Sequence, residues 1–315
     1  MSDGESGFRD PKVLIPFLLI TLIWGSTWIV IKDQLGEGAA IPVPHVWSVS
    51  YRFFIAGAAM MAIAWLRGEG SGLARGGHAL ALVLGTFQFV ANYNFVYASE
   101  HYITSGLAAV VFALLVAFNA ALVWLFSGQK VSARFTAGSA VAMAGVALLF
   151  AQEVRQAGGS GGEVLTGLAL VLVAVLAASL SNVMQIMPAV KAHPLAPMLG
   201  WAMLYGATID AAFALAFVGP PAIDPRPGYW LGLLYLGLIA SALAFWLYFD
   251  IIRKVGPAKA AWSSVLIPVV AMAFSTALEG YRWSALAVAG GALTIAGLII
   301  ALRSGRPAPA LPPTE

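Results

Sequence analysis

Ten apolar runs, each long enough to cross a bilayer, constrain the fold of this chain more than any other feature. They cover 13–32, 45–66, 79–99, 103–126, 134–151, 164–187, 195–218, 229–251, 258–278 and 284–302. A helix needs about 20 apolar residues to span lipid hydrocarbon, where the backbone must satisfy its own hydrogen bonds. Only 10% of the residues are charged, against about 25% in soluble domains. The sequence therefore predicts an all-α polytopic membrane protein with ten transmembrane helices.

The second half of the chain repeats the first with a shift of 152 residues. The stretch from Gly85 to Ala151 aligns without a gap on Gly237 to Arg303. Glycines match in three further pairs, which are Gly128 with Gly280, Gly138 with Gly290, and Gly145 with Gly297. Each copy has five runs, an odd number, so the second copy must enter the membrane from the opposite face. This predicts two inverted five-helix repeats, 13–151 and 164–302, with a substrate site between them.

Lysine and arginine in the loops predict the orientation, because positively charged short loops stay in the cytoplasm. With the N-terminus inside, twelve of the 17 cations are cytoplasmic, four are external and Arg52 lies within the second run. We therefore expect the N-terminal segment 1–12 and the C-terminal tail 303–315 to be cytoplasmic. The Gly-rich connector 152–163 is expected outside the cell. The expected location is the inner (plasma) membrane.

Several kinds of chemistry are not indicated by the sequence. The chain has no cysteine, and its four histidines lie at predicted span ends without ligand-spaced partners, so no metal site is expected. The connector lacks a phosphate-binding loop, and the scattered cations do not suggest nucleic acid. We expect no cofactor and no catalytic residues. The expected partners are a small-molecule solute and the lipid bilayer, and a homodimer is left open.

Polar side chains within the runs are the candidate binding residues, since each must find a partner inside the protein or line a wet cavity. Gln88 and Asn92 lie four residues apart on one helix face, next to Tyr93. Asn119, Asn182 and Ser263 add polar groups on other runs. Two interpretations stay open: these groups bond neighbouring helices, or they line a cavity that binds the solute.

Two ionisable residues, Arg52 and Asp210, lie about eight residues from the external ends of the second and seventh runs. These runs are counterparts in the repeat, so an intramembrane ion pair is one interpretation, and it would relieve the cost of either charge in lipid. The alternative is that each residue contacts other groups independently. Asp210 is also a candidate proton site.

Trp24 and Pro268 lie near the middle of their runs. An interfacial anchor does not explain a tryptophan at that depth, so we expect Trp24 to face a central cavity. Pro268 removes a helix hydrogen bond and predicts a kink, which is either a packing adjustment or a gating element.

The sequence also resembles a known family. The motif Trp24-Gly25-Ser26-Thr27-Trp28, followed by Ile31-Lys32, resembles the opening signature of EamA-type members of the drug/metabolite transporter superfamily. Arg52-Phe53, 104–109 and 256–260 resemble further motifs of that family. The resemblance implies two inverted EamA units that export metabolites or amino acids. It also implies a cavity lined by helices one, three, four, six, eight and nine, near Trp24, Gln88, Asn92, Asn119, Asn182 and Ser263.

These observations predict a secondary transporter, not an enzyme, that exports a small organic metabolite by alternating access. An amino acid or a related amphipathic compound is the expected solute. A metabolite importer or a facilitative uniporter is the alternative transport function. A membrane-bound enzyme acting on a lipid is the alternative of another class, and it would need acidic clusters or metal ligands that the short loops lack.

Overall fold

A computed structural model of the protein describes residues 11–35, 43–127, 132–156, 161–185, 187–255, 263–278 and 280–302. Every regular element among the described residues is a helix. The helices are α1 (Pro11–Gln34), α2 (His45–Leu66), α3 (Arg75–Gly85), α4 (Asn92–Ser99), α5 (Ser105–Phe112), α6 (Leu115–Ser127), α7 (Ala133–Gln156), α8 (Gly161–Gln185), α9 (Pro188–Lys191), α10 (Leu195–Phe217), α11 (Pro227–Leu234), α12 (Ala244–Val255), α13 (Ser263–Leu278) and α14 (Ala285–Leu302). The predicted tail 303–315, residues 1–10 of the N-terminal segment and 157–160 of the connector lie outside the described residues.

Two π-helical segments interrupt the α-helices. The first, Thr86–Ala91, joins α3 to α4, and the second, Tyr235–Leu243, joins α11 to α12. Apolar periodicity does not distinguish an α turn from a π turn, so the sequence predicted each as one continuous span. The 152-residue shift places the first segment on 238–243, inside the second. Both halves therefore carry a π segment at the same place.

Seven helical stretches are long and apolar enough to cross a membrane: Val13–Gln34, His45–Leu66, Arg75–Ser99, Ser105–Phe126, Gly161–Gln185, Leu195–Phe217 and Pro227–Ile251. Three shorter apolar helices cover Ala133–Leu149, Leu266–Leu278 and Ala285–Gly297. The seven long stretches agree with seven of the apolar runs to within a few residues, and the three shorter helices overlap the runs 134–151, 258–278 and 284–302. The chain is a polytopic membrane protein, and the regular elements of its described residues are all helices.

Small residues hold the helices close together, as is usual in membranes, where packing replaces the hydrophobic effect. On α7 and α14, a methyl group at Gly145 would lie 2.6 Å from the Gly290 carbonyl oxygen, and one at Gly297 would lie 2.5 Å from the Gly138 carbonyl oxygen. The 152-residue shift places Gly145 on Gly297 and Gly138 on Gly290, so each contact is the equivalent of the other in the opposite half. The same relation holds for Gly85, which packs against the α10 backbone, and Gly237, which packs against α2.

Candidate functional site

A cavity of about 120 Å³, here called the inner cavity, lies between α1, the first π segment, α4, α5, α8, α12 and α13. Six of the seven predicted substrate residues line it: Trp24, Gln88, Asn92, Tyr93, Asn182 and Ser263. Pro268 of α13 lines it as well. The helices that bring these side chains together come from both halves of the chain.

Aromatic rings form one wall of the inner cavity. The Trp24 ring lies edge-on to Phe245 and Tyr248, with centroids 5.4 and 5.0 Å away, and Trp28 makes a similar contact with Phe112 at 5.7 Å. These arrangements are the ones that the ring quadrupoles favour. The wall is consequently largely apolar.

The second π segment fixes the position of Trp24. The indole Nε1 donates a hydrogen bond to the Ala240 carbonyl oxygen at 3.1 Å. Ala240 lies within the π segment, so the carbonyl oxygen that accepts this side-chain hydrogen bond belongs to that segment. A backbone irregularity in one half of the chain thereby positions a cavity side chain from the other half.

Two amide side chains of the inner cavity each have a buried oxygen without a hydrogen-bond partner. Asn92 Nδ2 donates to the Gln88 carbonyl oxygen at 3.2 Å, which leaves Asn92 Oδ1 as the free end of that amide. Asn92 Oδ1 and Gln88 Oε1 are both buried without a hydrogen-bond partner. The residues themselves are only 3% and 5% exposed. Burying such acceptors costs free energy unless a donor reaches them.

Arg52 lies behind the cavity wall, in contact with Tyr93. Its Cζ is 4.4 Å from the centre of the Tyr93 ring, and its Nε donates to Ser241 Oγ at 2.9 Å. Arg52 is 1% exposed, and its Nη1 has no hydrogen-bond partner. The ring of Tyr93 therefore separates a buried positive charge from the cavity.

Asp210 and Arg52 have separate partners in this structure. Asp210 Oδ1 accepts a hydrogen bond from Asn94 Nδ2 at 2.8 Å. None of the salt bridges among the described residues joins Asp210 to Arg52. Of the two interpretations of the sequence, this arrangement agrees with separate contacts for Arg52 and Asp210 and not with an ion pair between them. Asp210 is also not among the residues that line the inner cavity.

A second cavity of about 610 Å³, here called the vestibule, adjoins the inner cavity and shares Gln88, Asn182 and Tyr248 with it. Asn119, the seventh predicted substrate residue, lines the vestibule and accepts a hydrogen bond from Ser179 Oγ at 2.7 Å. The vestibule also reaches Lys191, an exposed residue beyond the end of α8. A path therefore leads from the protein surface to the three shared side chains.

At the other end of the bundle, α1 contacts α4 and the residue that follows α4. Tyr97 donates to Gln34 Oε1 at 3.0 Å, and Lys32 Nζ donates to the Glu100 carbonyl oxygen. Gly167, near the start of α8, packs against Tyr102 at this end, whereas Lys191 follows the end of α8. The vestibule thus adjoins the inner cavity at the Lys191 end, and the contacts of α1 with α4 lie at the Glu100 end.

Sequence reasoning missed four features of this site: the π segments, Asn94, Ser179 and Ser241. Asn94 was visible as a third amide within the third run, but its spacing from Asn92 puts it on another helix face. Serines often bond only to their own helix, so nothing in the sequence distinguished Ser241 as the partner of Arg52. These partners follow from how the helices are placed relative to one another.

Comparisons with known proteins agree with a membrane transporter. Residues 12–151 and 165–303 each match the EamA-like transporter family. The chain is 25% identical to protein PagO of Salmonella typhimurium over 279 residues, 88% of each chain. It is 28% identical to the inner membrane transporter YedA of Escherichia coli over 275 residues, covering 85% of this chain and 84% of YedA.

A solved crystal structure shares the fold. It superposes with a TM-score of 0.66 at 19% sequence identity and covers 93% of this chain and 98% of the other. At that identity the likeness concerns the fold alone. None of these similarities supports a homodimer.

Proposed function

We propose, from the premise that this chain belongs to the EamA-like transporter family, that it is a secondary transporter exporting a small organic metabolite by alternating access. The observation that carries the proposal is the inner cavity, a space between the two halves lined by aromatic rings and by amide side chains. Ligand sites are typically apolar clefts with a few converging polar groups. The proposed solute is an amino acid or a related amphipathic compound.

The inverted repeat is part of this proposal, and three observations support it. The same family matches each half of the chain separately. The π segments occur at equivalent positions. The contact of Gly145 with Gly290 maps onto that of Gly297 with Gly138. A two-fold axis between the halves lets them exchange conformations, so that one cavity opens to either side in turn.

The π segments suit the moving parts of such a cycle. A π turn concentrates bending because its hydrogen-bond pattern differs from that of the flanking α turns. The first segment carries Gln88 and the second carries Ala240, the acceptor for Trp24. Bending at either segment therefore changes the inner cavity directly, and Pro268 gives α13 a third place to bend.

The direction of export rests on the orientation of the vestibule. The loop charges predict that Lys191 lies on the cytoplasmic side, together with both termini. The vestibule then opens to the cytoplasm, and the contacts between α1 and α4 close the external side. A solute loads from the cytoplasm in this conformation. The name of YedA, an inner membrane transporter, supports the same membrane for this chain.

Efflux from proteoliposomes tests the proposal. Purified protein is reconstituted into proteoliposomes, which are loaded with a broad panel of amino acids and related metabolites. Release of each compound is then followed with and without a proton gradient. Trp24→Ala should abolish release of any transported solute, because Trp24 forms the aromatic wall. Trp230→Ala is the control, since Trp230 is exposed on α11 and lines neither cavity. Failure to move any member of the panel, or equal loss in both variants, would contradict the proposal.

A further inference from the structure

We infer that a buried network around Arg52 holds the external side of the protein closed, and that an external vestibule opens at this network when the cavity turns outward. The inference rests on the proposed alternating access and adds the contacts that control it. The network, here called the Arg52 lock, consists of Gln34, Arg52, Tyr97 and Ser241, each of which is at most 3% exposed. The four residues come from α1, α2, α4 and the second π segment.

Polar contacts connect these four elements through the lock. Arg52 Nε donates to Ser241 Oγ at 2.9 Å, which links α2 of the first half to the second π segment. The guanidinium group also interacts with the Tyr97 hydroxyl group. Tyr97 in turn donates to Gln34 Oε1, at the end of α1, at 3.0 Å. Moving the second π segment away from α2, or α1 away from α4, therefore breaks a buried hydrogen bond.

The repeat identifies the counterpart of Arg52 in the second half. The helices α2 and α10 begin 150 residues apart. Glycine contacts give the same register, because a methyl group at Gly85 would meet the Ala202 carbonyl oxygen, and one at Gly237 would lie 3.1 Å from the Arg52 carbonyl oxygen. Gly85 and Gly237 are themselves counterparts in the repeat. Ala202 therefore occupies the position of Arg52.

The counterparts of the lock line the vestibule. The 152-residue shift places Tyr97 on Phe249 and Ser241 on Phe89. Phe89, Ala202 and Phe249 all line the vestibule, and none of these three side chains can form a hydrogen bond. The lock therefore fills the place that, in the other half of the repeat, is open. If the two halves exchange conformations, an external vestibule opens at the lock.

The buried charge makes the external closure depend on the hydrogen bonds of the lock. Arg52 has no salt bridge among those of the described residues, and its Nη1 is buried without a hydrogen-bond partner. A buried cation is costly in a membrane unless polar groups or water reach it. The lock supplies polar partners while the external side is closed, and water supplies them once it opens. Weakening the lock therefore favours the externally open state.

A cysteine in place of Val49 reports the opening of the external side. Val49 is fully buried on α2 and lies 150 residues before Leu199, which lines the vestibule. The chain has no cysteine of its own. A membrane-impermeant thiol reagent is applied to the outside of right-side-out vesicles without any solute, and the labelling rate of Val49→Cys is measured. Because the reagent reaches position 49 only when the external side opens, the rate follows the open fraction.

Two substitutions weaken the lock by removing one hydroxyl group each. Ser241→Ala and Tyr97→Phe, combined separately with Val49→Cys, should each raise the labelling rate about tenfold, because the lost hydrogen bond stabilises the closed state alone. Tyr205→Phe is the matched control, since it removes a hydroxyl group that contacts His78 outside the lock. It should leave the labelling rate unchanged. Melting temperatures show whether each variant is folded.

Two outcomes would overturn the inference. One is an unchanged labelling rate in both lock variants, and the other is an equal increase in Tyr205→Phe, which would indicate general loosening of the bundle. The labelling requires no solute, so it is separable from transport. Normal efflux with unchanged labelling would refute the lock alone. Faster labelling of the lock variants without efflux of any compound would contradict the transport function and leave the lock intact.

Discussion

Replacing Gly145 or Gly297 with alanine should destabilise the protein, because both glycines lie where α7 and α14 cross in close contact. The added methyl group would lie 2.6 Å from the Gly290 carbonyl oxygen in the first variant and 2.5 Å from the Gly138 carbonyl oxygen in the second. Ordinary contact begins at 3.4 Å, and the obstructing atoms belong to backbone except for Thr294 Oγ1, which would lie 2.4 Å from the methyl group at Gly145. The two helices must therefore move apart by several tenths of an ångström along their shared face.

Two opposing effects determine the size of the change. Overpacking of this kind costs about 1–3 kcal/mol. Alanine in place of glycine within a helix returns about 0.8–1 kcal/mol. Gly291→Ala isolates the second effect, because Gly291 lies in α14 with no atom within 4 Å of its added methyl group. We expect both crossing variants to be less stable than Gly291→Ala by about 1–3 kcal/mol.

The assay is equilibrium unfolding in mixed micelles, checked by melting temperature in a mild detergent. Because the repeat shift exchanges the two contacts, Gly145→Ala and Gly297→Ala should lose similar amounts of stability. Their double variant should lose less than the sum, since helices already separated by one methyl group accommodate the other more easily. If either variant is as stable as Gly291→Ala, the close crossing and its symmetry are both refuted.

Three further substitutions probe the site. Trp24→Phe removes the donor to the Ala240 carbonyl and should lower the free energy of unfolding by about 1–3 kcal/mol; a loss below this range, measured by unfolding, would contradict the role of the π-segment carbonyl. Arg52→Lys keeps the charge but loses the planar contact with Tyr93 and the geometry of the bond to Ser241. The transport rate and the melting temperature should therefore both fall. Unchanged values would show that the charge alone is sufficient. Asp210→Asn keeps an acceptor for Asn94, so it should melt near the wild type and still respond to a pH gradient, whereas loss of that response would identify Asp210 as a proton site.

Much of the helical arrangement was predictable from the sequence, because long apolar runs have few alternatives in lipid. The gathering of Trp24, Gln88, Asn92 and Asn182 around one cavity was anticipated through the polarity of their positions and the family resemblance. Rotation of a helix about its axis decides which of its residues face inward. Sequence spacing alone leaves that rotation open.

The partners of the buried charges were not predictable in the same way. The matching depths of Arg52 and Asp210 indicated that a pair was possible, but depth in the bilayer does not fix direction around the helix. In the structure Arg52 faces Tyr93 and Asp210 faces Asn94. The π segments were also hidden, because a change of hydrogen-bond register leaves apolar composition unchanged.

The central claim, that one buried cavity opens in turn to each side, is tested most directly by cysteine labelling. The chain has no cysteine, so a single one can be introduced without removing others. Ala178 lines the inner cavity, whereas Ala64 is buried but lines neither cavity. Ala178→Cys and the control Ala64→Cys are treated with a membrane-impermeant thiol reagent in sealed vesicles of both orientations. Alternating access predicts that Ala178→Cys is labelled from either side while Ala64→Cys is not labelled. Labelling of Ala178→Cys from one side alone, with and without a transported solute, would contradict the account.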